Sequence, residues 1–581
     1  MTSEYILDVK SKTFVKYLGA AESFVVPDGV EIIDRRAFDD RFSLKKVVVP
    51  KGVKEIRRLA FVDCPSLTEV VVPESVNQIE EVSFLRCPSL TSIEVAEENR
   101  SYRSINGVLF TKDGRFLIKY PEGIAAESYG IPEGVDEISK SAFDGCSSLK
   151  SIDVPQGVIK IGDNAFSNCL SLREIALPDS VEKIGLWAFR FCPSLRLFFI
   201  PGGVKIFSES ALDDCDALES IEVAKNNSQY RSIDGVLFSK DEKKLVLFPR
   251  AIKKESYRVP ESVETIRSYA FRKCSSLTSI ALPDWVVYVG DGAFKGCSSL
   301  KSIAIPTSVE TIRPGVFDEC SSLTSIEVSR WNTNYRSVDG VLYTKSGKTL
   351  VRIPEGSTID RYVVPEDVVR IDGDAFKNCS SLKEIVIPEG VKELWPYLFD
   401  GCSSLESIEV AKSSRAFRSI DGVLFSKRTK VLRRFPIGIK TCRCVVPFFV
   451  KKIGMNAFGG CVSLREIVLH DELEEIDARA FCACSSLTGL VIPKSVKKIG
   501  NFAFEGCSAL KKIVIPEGIK EIGDWMFGDC SSLEEVVVPE SVDEISWSAF
   551  NRCPKLTLRA PKGSYAEKYA KENKIKFEAT E

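Results

Sequence analysis

The sequence predicts a mainly β solenoid in which coils of about 23 residues stack on one another and share a continuous apolar core. Three observations carry that reading. Pro493, Pro516 and Pro539 recur at one fixed interval, and the same spacing runs through most of the chain. The unit P-x-x-V-x-x-I-x-x-x-x-F-x-x-C-x-S-L-x-x-I-x-V occurs in 17 copies, the first at Pro27 and the last at Pro539. Within each copy the apolar positions are too few to form a core alone, so neighbouring copies must bury one another's apolar residues.

Residues 1–26, with Tyr5-Ile6-Leu7 and Phe24-Val25-Val26, fall outside the full unit and are expected to form a capping hairpin. Residues 27–556 hold the solenoid. Ile385 and Ile387 alternate with Glu384 and Val386, the period of a half-buried strand, and stacking predicts a long parallel sheet on one face. Pro388 ends that strand because it brings no N–H to the ladder. The following Val and Ile positions predict a second short strand. The Ala-Phe-x-x-Cys segment is too brief for a full helix and predicts one 3₁₀ or helical turn.

Phenylalanine fills its column in 16 of the 17 copies, Leu212 being the exception, which reads as stacked core rings. Of the 19 cysteines, 16 occupy a single column from Cys64 to Cys553, three residues after the ring. That register predicts buried, reduced thiols acting as small apolar groups. Serine before the repeat Leu, as in Ser148 and Ser171, reads as turn chemistry.

Four gaps between successive prolines are 59 residues long instead of 23, each adding 36 residues, at about 96–131, 224–259, 329–364 and 411–446. Each contains Asn-Gly or Asp-Gly beside an apolar run, as in Ile233-Asp234-Gly235-Val236, and predicts a projecting hairpin. Glu94, Glu222, Glu327 and Glu409 stand on the outward strand position before each insertion and read as local turn chemistry. Residues 557–581 leave the period, and the charged stretch from Ser564 to Asn573 predicts a helical cap.

Lys plus Arg number 79 and Asp plus Glu 81, so the balance lacks the basic excess that accompanies nucleic-acid or anionic-membrane binding. No apolar stretch is long enough for a transmembrane helix, and no membrane insertion is expected. The opening MTSEYILDVKSKTFVKYLGAAESF has no basic segment followed by an apolar core, which predicts a cytoplasmic chain. A surface or secreted location is the alternative if a leader has been removed or export is unconventional.

Catalytic chemistry has little to stand on. His470 is the single histidine and occupies a turn position where other copies have Pro. Cys442, Cys444 and Cys482 are the thiols outside the column, and their C-x-C spacings do not match a zinc knuckle. No phosphate-binding or dinucleotide fingerprint occurs. The expectation is a non-enzymatic chain with no cofactor, no metal and an unknown protein partner.

Outward positions that break the repeat with large apolar groups are the candidate binding residues. Leu197 and Phe199 stand where other copies mostly carry Ser, Glu, Ala or Val. Two positions before the repeat Phe, a mostly small or polar site becomes Trp187, Tyr269, Tyr397, Phe502 and Trp525, the last two on adjacent coils. Val468, Val491, Val514 and Val537 form an outward column of four, which strand propensity also explains.

The unit I-x-x-x-A-F-x-x-C-x-S-L-x-x-I-x-V-P, closely matched from Ile161 to Pro178 and from Ile499 to Pro516, resembles the BspA-like leucine-rich repeat over about residues 4 to 570. The resemblance implies a leucine-rich repeat solenoid serving as a binding scaffold through its strand face and hairpins. It also implies the alternative of a surface or secreted adhesin for host or matrix protein or glycan.

Overall fold

The computed structural model describes residues 4–39 and 41–580, so the first three residues of the expected N-terminal cap and the last of the C-terminal cap lie outside the described residues. Two compact units result: one runs to Cys297 and includes Thr311–Phe317, and the other holds Ser298–Glu310 and the chain from Asp318 onward.

Both units are built from the same coil. An outward-facing strand of three or four residues pairs in parallel with its counterpart in the next coil, as Ser151–Asp153 does with Glu174–Ala176, and Glu384–Ile387 with Ser407–Val410. After the proline a two-residue strand forms a second ladder, such as Glu137–Ile138 on Lys160–Ile161 on Lys183–Ile184. The chain then passes through successive turns closed by i to i+3 bonds, as from Ala165 N to Gly162 O (3.3 Å) and from Cys146 N to Phe143 O (3.1 Å). These i to i+3 bonds are those of the expected single 3₁₀-type turn, repeated along the segment without building a helix. The left-handed φ at Asn164 and Asn168 (55° and 58°) stops helical geometry from propagating.

The rings stack as expected. In the first unit Phe143, Phe166 and Phe189 follow at 5.0 and 5.1 Å, and in the second Phe481, Phe504, Phe527 and Phe550 at 5.4, 5.4 and 5.5 Å with nearly parallel planes. The cysteine column has a role beyond filling volume. Cys169 Sγ donates to Phe143 O at 3.2 Å, Cys192 to Phe166 O at 3.2 Å and Cys507 to Phe481 O at 3.2 Å. Each buried thiol thus satisfies a carbonyl of the preceding layer, and burial pushes Cys274, Cys461 and Cys507 up to about 12. They stay protonated donors, and all 19 cysteines are free.

The insertions do not project. In each, the Asn-Gly or Asp-Gly turn folds back onto the preceding strand, with Ile93 N donating to Gly107 O (3.0 Å), Ile221 N to Gly235 O (2.9 Å) and Ile408 N to Gly422 O (2.9 Å). The hairpin strands then head the second ladder, and the Val108–Phe110 and Val236–Phe238 side chains are buried. Three apolar residues in a row cover both faces of a strand, which is why the hairpin lies inside the stack. The strand sheet is divided into blocks rather than running unbroken, at the insertions and also between Glu174–Ala176 and Leu197–Ile200, where no insertion lies. At the ends of three blocks the outward Glu accepts from the Ser two residues before it: Ser92 to Glu94, Ser325 to Glu327, and Ser407 to Glu409 at 2.7 Å.

At the N-terminus Tyr5–Asp8 pairs antiparallel with Thr13–Tyr17, and Phe14 stacks on Phe38 at 5.3 Å. At the other end Ser564 caps the helix Tyr565–Glu572, Gly563 N donates to Glu567 Oε2 at 2.6 Å, and buried Ala566, Tyr569 and Ala570 close the core over Phe550.

Candidate binding surface

Strand alternation sends every second residue of the long strands outward, so two columns, each taking one residue per coil, make up the strand face. In the block that follows the first insertion these columns hold Ser128, Ser151 and Glu174 beside Gly130, Asp153 and Ala176. Small side chains leave a shallow depression of about 530 Å³ over this stretch. Leu197 and Phe199 come next and are 47 and 42 % exposed, while Phe198 between them is buried edge-on against Phe189 at 4.9 Å. The pair predicted from sequence is therefore brought together, outward, on Leu197–Ile200. That strand pairs with Ser220–Val223, which places Ser220 beside Leu197 and Glu222 beside Phe199.

The second set of candidates sits elsewhere. Trp187, Tyr269, Phe502 and Trp525 occupy the turn segment with φ of 55°, 59°, 60° and 50°, and each has a cation against its ring. Arg479 lies 4.5 Å from the Phe502 ring, and Arg190 5.3 Å from that of Trp187. Beside it lies a cluster invisible in the repeat: the buried Asp214 carboxylate faces Lys273 (2.7 Å), Arg250 (3.1 Å), Arg190 (3.5 Å) and Arg272 (3.6 Å). Burial alone would raise the Asp214 carboxyl, but the Lys273 bond and the Arg272 and Arg250 charges hold it at about 2. Burial raises that of Asp213, against the same two arginines. Trp187 is tied to this ionic network through Arg190, which lies over its ring and reaches Asp214.

Val468, Val514 and Val537 lie in register on the strand face, and Val445 extends their column. Val491 departs from the strand: only Gly489, through single bridges to Glu466 and Lys512, holds this layer in the ladder. Val491 is 84 % exposed.

Sequence reasoning missed the most exposed indoles, Trp285, Trp331, Trp395 and Trp547, which lie off both columns. Their signal was a bulky residue in a turn, a place the search of strand positions did not cover. His470 is used structurally: its Nδ1 accepts from Glu472 N at 3.2 Å, its Nε2 lies 3.0 Å from Pro447 O, and its ring packs on Phe448. Among the described residues no helix is long and apolar enough to cross a membrane, and no group of three or more metal-ligating side chains is gathered.

Comparison with known families matches the BspA type leucine-rich repeat region (6 copies) over residues 8–113, 122–243, 247–362, 354–436 and 443–561. The chain belongs to the BspA-type leucine-rich repeat family. Among solved structures, this leucine-rich repeat chain is similar to a leucine-rich cell surface protein of Faecalibacterium prausnitzii, with 26 % identity, 71 % of this chain and 95 % of that one covered, and a TM-score of 0.40. A leucine-rich repeat protein of Eubacterium ventriosum is 19 % identical over 85 % of this chain and 88 % of that one, with a TM-score of 0.32. One from Bacteroides ovatus is 25 % identical over 83 and 98 %, with a TM-score of 0.25. No curated protein sequence matches.

Proposed function

We propose that this chain is a non-enzymatic protein-binding scaffold whose recognition surface is the strand face, with Leu197 and Phe199 as the anchor. The observation that carries the reading is their exposure beside a depression lined by Gly130, Ala176 and two serines, in columns that elsewhere hold small, charged or valine residues. Two neighbouring apolar side chains give a partner's apolar residues a place to bury, and Asp153, Glu174 and Glu222 around them supply a polar rim. The stacked core holds this surface rigid, so little ordering is required on binding. A non-catalytic role is supported by thiols held protonated and by a single histidine committed to a turn.

The test is a pull-down from the native cells comparing wild type with a Leu197→Ser, Phe199→Ser double variant whose melting is first shown to match. Partners captured by the wild type and lost from the variant support the reading. Partners retained by both contradict it, and so does turnover of any substrate that His470→Ala abolishes.

A further inference from the structure

Five layers of the last strand face, from Arg443 to Val537, carry a charge pattern that is its own complement; beyond them the sheet continues through Thr557–Pro561 and Lys576–Thr580. One outward column reads Arg443, Glu466, Gly489, Lys512, Glu535, kept in register by the Gly489 bridges, and the other reads Val445, Val468, Val514, Val537, with Val491 in the central layer outside the ladder. Taking the Gly489 layer as the centre, the signs run plus, minus, zero, plus, minus. A two-fold axis lying in the face along the strand direction at that layer keeps each column opposite itself and reverses the order of layers. Arg443 then faces Glu535 of a second copy and Glu466 faces Lys512, while the valine columns meet with Val491 at the centre. We infer that this strip is a docking surface for a second copy of the same chain, with the two stacks running antiparallel.

Several features fit that occupant. Opposite charges meet at all four off-centre layers, as an isologous contact requires. Val491 is the most exposed large apolar residue of the face, and Gly489 beside it leaves the centre free of a bulky side chain. Within one chain Arg443 pairs with Glu466 at 3.0 Å and Lys512 with Glu535 at 2.9 Å, so the charges are already held on the surface. Arg465 and Lys511, exposed one position earlier at the rim, would lie opposite one another, where salt screens repulsion. Five layers at about 4.8 Å make a strip roughly 20 Å by 10 Å. That is well below the roughly 1,200 Å² of a standard interface, so association is weak and depends on concentration.

Charge reversal that preserves the Arg443–Glu466 and Lys512–Glu535 pairs tests the geometry. One variant carries Arg443→Glu with Glu466→Arg, and another carries Lys512→Glu with Glu535→Lys and Arg559→Gln, because Arg559 also pairs with Glu535 at 3.2 Å. By sedimentation over a concentration series, wild type is expected to show a dimer boundary at its highest concentrations, and each variant alone to lose it. Mixing the two variants should restore it, because every facing pair is then opposite in sign. Val491→Asp should abolish the dimer without changing the melt. Wild type that stays monomeric throughout overturns the inference, as does a dimer that survives Val491→Asp or two reversed variants that fail to pair.

Discussion

The second and fourth insertions share length, hairpin and register, yet different groups tie them to the stack. In the second, the Asn227 amide is buried and makes four bonds: Nδ2 donates to Pro201 O (2.7 Å) and Val204 O (3.1 Å), and Oδ1 accepts from Gln229 N (2.8 Å) and Tyr230 N (2.8 Å). The Tyr230 hydroxyl accepts from Phe207 N at 3.2 Å, at the edge of the second ladder. In the fourth, Ser414 replaces the amide and accepts only from Phe417 N, at 3.3 Å. Phe417 has no hydroxyl to offer Leu394, which stands at the place of Phe207 but forms no strand. Instead Arg433 Nη2 donates to Leu394 O at 2.9 Å, and an open cleft of about 1120 Å³ lies alongside, lined in part by Ser413, Phe417 and Lys392. A buried amide that closes every donor and acceptor makes one junction dry. Its loss leaves the other junction to a single bond from the partly buried Arg433 guanidinium.

Where the cores agree, damage should be largest and equal. Phe248 and Phe435 are the rings that the two insertions add to the stacked phenylalanine column, on Phe271 at 5.2 Å and on Phe458 at 5.3 Å. Phe248→Ala and Phe435→Ala are each expected to cost roughly 3–5 kcal/mol in chemical denaturation. A large inequality between them would show that the junctions differ in core packing as well as in polar ties.

The polar ties separate the two regions next. Asn227→Ala takes the side-chain partner from two N–H groups and from Val204 O, while Pro201 O keeps Val204 N, and is expected to cost roughly 2–4 kcal/mol, whereas Ser414→Ala should cost about 1 kcal/mol or less, as read by denaturation. Repair should act in the opposite direction. Ser414→Asn with Phe417→Tyr is expected to gain roughly 1 kcal/mol and to slow hydrogen exchange at Leu394 and its neighbours.

The smallest effects are in acid and have opposite signs at the two sites. Asp214, held at about 2, contributes stability that is full above the unfolded carboxyl value near 3.8 and is lost as pH falls through about 2. Asp214→Asn should therefore destabilise at neutral pH, with the deficit closing between about pH 4 and 2. Asp400 beside the fourth insertion is raised by burial, despite the Arg434 charge and the Asn456 bond. Its ionisation costs stability at neutral pH, so Asp400→Asn should be neutral or stabilising there, with any gain fading as the pH drops to about 4. Denaturation of both variants across that range checks the signs.

Most of the architecture was legible because each coil repeats one instruction. Proline sets the end of a strand, Phe and Cys fix the core, and their constant spacing fixes the register. The hairpins were also visible in Asp-Gly and Asn-Gly, but their placement was not, because Val236-Leu237-Phe238 reads equally as a projecting arm or a strand buried on both faces. Asn99, Asn227 and Asn332 went unnoticed since a lone Asn in an irregular stretch has no period. The Asp214 cluster escaped for a related reason: Arg190, Arg250, Arg272 and Lys273 are scattered in sequence and meet only after the layers stack. Leu197 and Phe199 were legible as exceptions within a column, the kind of signal a repeat displays best.

The most direct test of recognition on the strand face is site-specific photo-crosslinking in the native cells, with the reactive group placed in turn at residues 199, 130 and 525. The account predicts one partner protein captured from 199 and from 130, both on the strand face, and lost from each when Leu197→Ser is added. Capture from 525 on the turn segment, with 199 and 130 silent, would contradict it.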